Sequence, residues 1–252
     1  MIRFLVALVL CWAGHAVAVT ADAYLVTDLE GKVLLEKNVD EVRPIASISK
    51  LVVASNSVTL DPLELITISK YDFRDGHMRS SPLRIGQSYT RKQLIEMALV
   101  SSDNVAAIAL GRSVPGNLSA FATIVEPSGL NPANTSSARQ LAELARSLYK
   151  TEVAEISTRP RTEIGDRHST NPLLTKAGWS FYLSKTGFIN SSGGCLVVIT
   201  EIQTQPVVVV ILGAKNTKER WLDLIELRRQ LGDRDFYVPV KMIISKRKKR
   251  RA

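Results

Sequence analysis

Cysteine is scarce in this chain, with two in 252 residues, Cys11 and Cys195. Cys11 lies in an apolar N-terminal run, so a chain that sheds that run keeps one thiol and has no internal disulfide. Cys195 sits in the apolar stretch Cys195-Leu-Val-Val-Ile199 and reads as a small core residue. Histidine is nearly as rare: His15 leaves with the leader, and His77 and His168 stand in polar surroundings. With no Gly-x-Ser-x-Gly either, the sequence argues against a Ser-His-Asp hydrolase. No His-Glu-x-x-His and no paired Cys/His spacing occurs, so neither metal nor cofactor is expected. The N-terminal apolar run, Phe4 to Trp12, is too short to span a bilayer. No internal repeat or low-complexity linker appears before a basic tail.

The run is nonetheless informative. Arg3, the apolar stretch, and then Ala16-Val17-Ala18 have the order of a secretory signal peptide, with cleavage expected after Ala18. Leu10 just before Cys11 fits a lipoprotein site poorly. The mature protein is therefore expected to work outside the cytoplasm. The net charge of +9 does not imply nucleic-acid binding: Arg3 leaves with the leader, and Lys246 to Arg251 account for six of the remaining charges, so the body carries about +2. The tail has the chemistry for weak contact with anionic lipid or polymer. Residues 1–18 are read as signal, 19–235 as one catalytic domain and 236–252 as an extension ending in that tail.

Hydrophobic periodicity predicts a mixed α/β (α+β) fold. Ala23 to Thr27 and Lys32 to Glu36 read as a hairpin around Asp28-Leu-Glu-Gly31. A helix is expected from near Ser47, a short strand at Leu65 to Ile68, and loop from Asp72 to Ser88. Thr90 and Gln93 form a capping box for a helix through Leu99, and Ser102-Asp103-Asn104 interrupts before Val105 to Leu110. A further helix runs from Ser137 to Tyr149. The final third changes period, to strands at Phe181 to Leu183, Cys195 to Thr200 and Val207 to Leu212, then a helix from Thr217 to Leu231. The expected architecture is one antiparallel sheet of N- and C-terminal strands flanked by helices, with a mainly helical part inserted.

The chemistry centres on Ser47-Ile-Ser-Lys50. Residues three apart share a helix face, so Ser47 and Lys50 can meet. A buried lysine resists charging and can take the hydroxyl proton. Ser-x-x-Lys is common, and Ser147-Leu-Tyr-Lys150 and Ser245-Lys-Arg-Lys248 repeat it here without need of chemistry. What distinguishes Ser47 is its company: Ser102-Asp103-Asn104 and Lys185-Thr186-Gly187 follow in order, at an inter-helix knuckle and on a strand. Ser-x-Asn alone is weak, since Ser169-Thr-Asn171 also fits, whereas Lys-Thr-Gly occurs once. For acyl transfer, Ser47 is the expected nucleophile and Lys50 its base. Ser102 would relay a proton to the leaving amine, and Asn104 would hold Lys50 or a substrate amide. Lys185 and Thr186 suit a terminal carboxylate, Gly187 allows close approach of substrate backbone, and the N–H groups of Ser47 and Phe188 would form an oxyanion hole.

The ordered trio resembles that of serine β-lactamases and penicillin-binding proteins. Together with Glu126-Pro-Ser-Gly-Leu130, Thr170-Asn171-Pro172 and Leu183 to Phe188, the chain resembles the low-molecular-mass penicillin-binding proteins, the serine D-alanyl-D-alanine carboxypeptidases and endopeptidases. The periplasmic endopeptidase branch is nearest, over residues 22–231. The resemblance implies cleavage of D-alanyl bonds in peptidoglycan stem peptides through an acyl-enzyme, acylation of Ser47 by β-lactams such as penicillin, and residence in the periplasm or at the cell wall. About twenty residues separate Asn104 from Glu126, where the family usually fits a further helix, so one wall of the cleft is expected to be altered. The sequence ends soon after its last expected helix, so the β-rich C-terminal domain of larger carboxypeptidases is not expected here. A β-lactamase would need a carboxylate for the deacylating water, and Glu126 is the one candidate, in a setting that matches the peptidases. A catalytically weak peptidoglycan-binding module of the same fold is the alternative from another class.

Overall fold

The computed structural model describes residues 18–73, 80–115, 121–233 and Phe236. Apart from Ala18 and Phe236, the segments read as a leader and as a C-terminal extension with a basic run lie outside the described residues, as does His77.

Two strands open the fold, β1 (Ala23–Thr27) and β2 (Val33–Lys37), joined at the turn where Asp28 Oδ1 accepts the Lys32 N–H at 2.7 Å. Three long strands close it: β7 (Phe181–Ile189), β8 (Gly193–Ile202) and β9 (Gln205–Ala214). All five form one sheet in the order β2-β1-β9-β8-β7, with every pairing antiparallel. The β8–β9 hairpin turns on Gln203 and Thr204, both with positive φ, which matches the right-handed twist of the strands it joins.

Strand alternation divides the molecule into two cores. On β8, Cys195, Val197 and Ile199 face the helical side while Leu196 and Val198 face the other. Both faces are covered, so β8 and β9 read as nearly unbroken apolar runs. One face is covered by α6 (Glu219–Gln230), through Trp221, Leu224, Ile225 and Leu227 with Leu173 and Trp179. Against the other pack α1 (Ser49–Ser57), α2 (Arg91–Val100), α3 (Asn104–Ser113), α4 (Ala138–Leu148) and α5 (Glu152–Ser157). In α1, Leu51, Val52, Val53 and Ala54 are all fully buried, so this helix is enclosed on every side. Each such valine or leucine contributes about 1.5–3 kcal/mol of burial. No helix among the described residues is long and apolar enough to cross a membrane.

The expected capping box of Thr90 and Gln93 is present, and Ser137 and Gln140 form a second on α4. Three short strand segments that periodicity does not announce also pair: β3 (Arg43–Pro44) with β6 (Thr135–Ser136), and β5 (Ser88–Thr90) with β4 (Leu65–Thr67). These two-stranded pieces tether the inserted helical part on either side of α1.

Candidate active site

Ser47 lies in a 3-10 turn, Ala46–Ile48, and the α-helix proper begins only at Ser49. The expected start near Ser47 is displaced because Ala46 has φ +48°, a left-handed conformation no α-helix continues through. Two glycines press on this turn. A Cβ on Gly129 would stand 2.2 Å from Ala46 O and 2.7 Å from Ser47 N, and one on Gly187 would stand 2.8 Å from Ile45 O and 3.1 Å from Ser47 N. Backbone approaches this close require glycine, and together they hold the strained turn in place.

Lys50 Nζ is 2.7 Å from Ser47 Oγ and donates to Asn104 Oδ1 at 2.8 Å and to the carbonyl of Ser128. The lysine is fully buried, and that burial brings its pKa down to about 7, against smaller upward pulls from Glu126 and Asp103. In the neutral form an amine has two N–H groups and one lone pair. The two carbonyl oxygens can only accept, so they occupy the N–H groups and the lone pair faces the serine hydroxyl.

The knuckle between α2 and α3 supplies the next two groups. Ser102 has φ +59°, and the Asp103 side chain caps α3 by accepting the Ala106 N–H. This directs Asn104 to Lys50 and Ser102 to Lys185, whose Nζ donates to Ser102 Oγ at 2.9 Å and to Thr186 O at 2.9 Å. Lys185 is fully buried on β7, and its pKa is held well below the ordinary lysine value by burial, then by Lys50 and Arg220. Thr186 Oγ1 donates to Thr170 Oγ1 at 2.8 Å. Phe188, just after Gly187, is 42% exposed on the edge strand of the sheet. A polar hollow opens at the knuckle, lined by Ser81, Ser102, Asp103, Asn104 and Arg167.

Glu126 is engaged by its own turn. Oε2 accepts the Ser128 N–H at 2.7 Å and the Ser128 hydroxyl at 2.6 Å, while Oε1 accepts the Asn131 N–H at 3.0 Å. Burial alone would raise its pKa, but these hydrogen bonds outweigh that and keep the carboxyl below its usual value. Its geometry is that of a clamp on the loop whose Ser128 carbonyl meets Lys50, rather than of a base facing a free water. The short link from α3 still delivers this loop: a Cβ on Gly111 would lie 2.2 Å from Pro127 Cγ, so the loop packs directly on α3.

One hydroxyl, two amines and an amide from three distant pieces of chain thus share one locale, the arrangement a serine acyl-transfer site needs. A profile of the D-alanyl-D-alanine carboxypeptidase family matches residues 12–216. The chain belongs to that family. Within it, the chain is 36% identical over 236 residues to a D-alanyl-D-alanine endopeptidase of Pseudomonas aeruginosa, covering 82% of this chain and 76% of the relative. It is 32% identical to an Escherichia coli D-alanyl-D-alanine endopeptidase, covering 83% and 76%. Among solved structures, a peptidoglycan synthesis regulatory factor from Streptococcus pneumoniae superposes with TM-score 0.75 at 26% identity, over 86% of this chain and 74% of that one. A Listeria monocytogenes penicillin-binding protein with cefotaxime bound gives TM-score 0.70 at 25% identity, over 84% and 97%. This D-alanyl-D-alanine peptidase is accordingly a hydrolase with the mixed fold expected from the sequence.

Sequence reading did not find two contributors. The Ser128 carbonyl is a backbone group, invisible in side-chain motifs, although Gly129 just after it marks a close approach. Arg220, on α6, donates to Gly187 O at 2.9 Å from 33 residues downstream, and nothing in its local pattern sets it apart. Cys195 and His168 are as expected: the thiol is buried, with its pKa raised by burial, and the imidazole is exposed.

Proposed function

We propose that Ser47 is the nucleophile of a serine-type D-alanyl-D-alanine peptidase that cleaves peptidoglycan stem peptides through an acyl-enzyme. The observation that carries the assignment is the buried Lys50 amine, 2.7 Å from Ser47 Oγ with its two other neighbours both carbonyls. Ser47 Oγ attacks the penultimate D-alanyl carbonyl while its proton passes to Lys50, and the C=O π pair moves onto the carbonyl oxygen. Collapse breaks the peptide bond, and the leaving amine takes a proton by way of Ser102. Water then attacks the ester and frees Ser47. Asn104 orients Lys50, and the N–H groups of Ser47 and Phe188 hold the developing oxyanion.

Lys185 and Thr186 bind the carboxylate of the leaving residue, and Gly187 lets substrate backbone lie along the β7 edge. Penicillin, carrying a carboxylate beside a reactive amide, acylates Ser47 by the same route. The similarity to two proteins named as endopeptidases favours cross-link cleavage over terminal trimming. The leader pattern supports work outside the cytoplasm, on peptidoglycan, and the basic run from Lys246 to Arg251 suits weak contact with anionic lipid or polymer there.

The test is incubation of the pure protein with defined muropeptides, both cross-linked dimers and monomers ending in D-Ala-D-Ala, read by mass. The expected result is dimer cleavage abolished by Ser47→Ala. Loss of terminal alanine alone would assign a carboxypeptidase. Binding without any product would replace the enzyme by a peptidoglycan-binding module.

A further inference from the structure

Arg220 is 7% exposed, and among the described residues it forms no ion pair. Among the described residues its buried Nε has no hydrogen-bond partner, and its one described donation to an oxygen is from Nη1 to Gly187 O, at 2.9 Å. Burial lowers its pKa to about 10. An enclosed guanidinium without a carboxylate is costly, and what the described residues offer it is the Trp221 ring, 5.3 Å from its carbon to the ring centroid, and the Gly187 carbonyl. Its position is particular. The backbone is opened for it at Gly194, which pairs with Phe188 across β7–β8, since a Cβ there would stand 3.2 Å from Arg220 Cβ and 2.6 Å from Asn216 O.

Gly187 C=O and Phe188 N–H are the two ends of one planar peptide group. In a trans peptide they point in opposite directions, and no cis bond occurs among the described residues. With the carbonyl turned to Arg220, the Phe188 N–H points away from α6. A cationic donor on the oxygen of an amide draws electron density from its nitrogen and makes the N–H a stronger donor, as in any polarised chain of hydrogen bonds.

We propose that Arg220 is a positioning residue that acts through the Gly187–Phe188 peptide, orienting and strengthening the Phe188 N–H as an oxyanion donor. The effect grows as the Ser47 Oγ–carbon bond forms and negative charge collects on the substrate oxygen, so Arg220 serves the transition state more than the bound ground state. This inference rests on the acyl-transfer reading of Ser47.

The experiment compares wild type, Arg220→Lys and Arg220→Gln in acylation by a fluorescent penicillin. The amplitude of labelling counts folded molecules and the rate constant reads each one, so partial unfolding does not imitate the effect. Removal of a whole oxyanion donor costs about 100- to 1,000-fold, and weakening one is expected to cost roughly 10- to 50-fold in Arg220→Gln. Arg220→Lys, which retains charge on a shorter reach, should fall between that variant and wild type. Non-covalent affinity, measured with Ser47→Ala in each background, should stay within about twofold. The second readout is the ester carbonyl stretch of the acyl-enzyme, by isotope-edited infrared difference spectroscopy. It should rise in frequency from wild type to Lys to Gln as polarisation is lost. A wild-type rate, or an unmoved carbonyl frequency, in either variant overturns the proposal while Ser47 labelling stands. If Arg220→Gln gives no labelled molecules, Arg220→Lys decides by the same criteria. Failure of the wild type itself to be labelled would instead overturn the acyl-transfer reading.

Discussion

Acylation should follow the titration of Lys50, with a midpoint near pH 7. Burial takes Lys50 from the ordinary lysine value of 10.5 down to about 7, corresponding to about 5 kcal/mol of preference for the neutral amine. At pH 7 about half the molecules then hold a competent base, whereas an unshifted lysine would be neutral in roughly 0.03% of them. The second-order rate constant for penicillin labelling, followed by stopped flow from pH 5.5 to 9.5, should therefore rise about tenfold between pH 6 and pH 8 and level off above. A rate that climbs tenfold per pH unit through pH 9 would mean a lysine with its solution pKa. A flat profile would remove Lys50 from proton transfer. The same shift has a counterpart in stability. Between pH 7 and 10.5 the unfolded chain holds a proton on Lys50 that the folded chain does not, so this group makes the fold more stable as pH rises across that window, and least favourable below it. Lys185, lowered in the same direction, adds to the trend.

Other consequences concern the groups around this pair. Lys50→Ala should abolish both labelling and hydrolysis while the protein remains folded by circular dichroism, and labelling at the wild-type rate would refute its role. Glu126→Gln removes the larger upward pull on Lys50, so the midpoint of the pH–rate profile should move to lower pH. The weaker hydrogen bonds to the turn should also cost on the order of 1–2 kcal/mol in denaturant unfolding. Gly129→Ala forces a Cβ at φ +82° against Ala46 O, and a loss of about 2 kcal/mol or more in thermal or denaturant stability is expected. Thr186→Val deletes one hydroxyl of the proposed carboxylate site, so KM for a D-alanyl substrate should rise roughly 5- to 15-fold with little change in kcat.

Much of the fold was legible because its signals are local or periodic. The β1–β2 hairpin, the capping box at Thr90 and the interrupted α2–α3 pair all carry their own punctuation in sequence. The three motifs of the site could be placed at a helix start, a knuckle and a strand for the same reason. What was hidden depends on tertiary contact. The start of α1 moved by two residues because Ala46 is held left-handed by neighbours 83 and 141 positions away, Gly129 and Gly187. The six residues of α5 are too few for a period to declare itself, and β3 and β6 are two residues each. Strand β7 runs well past the expected Leu183, since its Lys-Thr-Gly segment is polar in sequence yet buried in the sheet.

The sheet order has a further implication for how the chain assembles. The first strand pairs with the last across Ala23 and Leu212, so one of the central seams of the sheet joins the two extremes of the described fold. A chain interrupted anywhere before Gln205 has its hairpin waiting without a partner. Contacts of such long sequence separation close late and slowly. The turn that carries Ser47, which has both Gly129 and Gly187 pressed against it, is expected to acquire its shape only in those last steps, and partly made chains should be chemically silent.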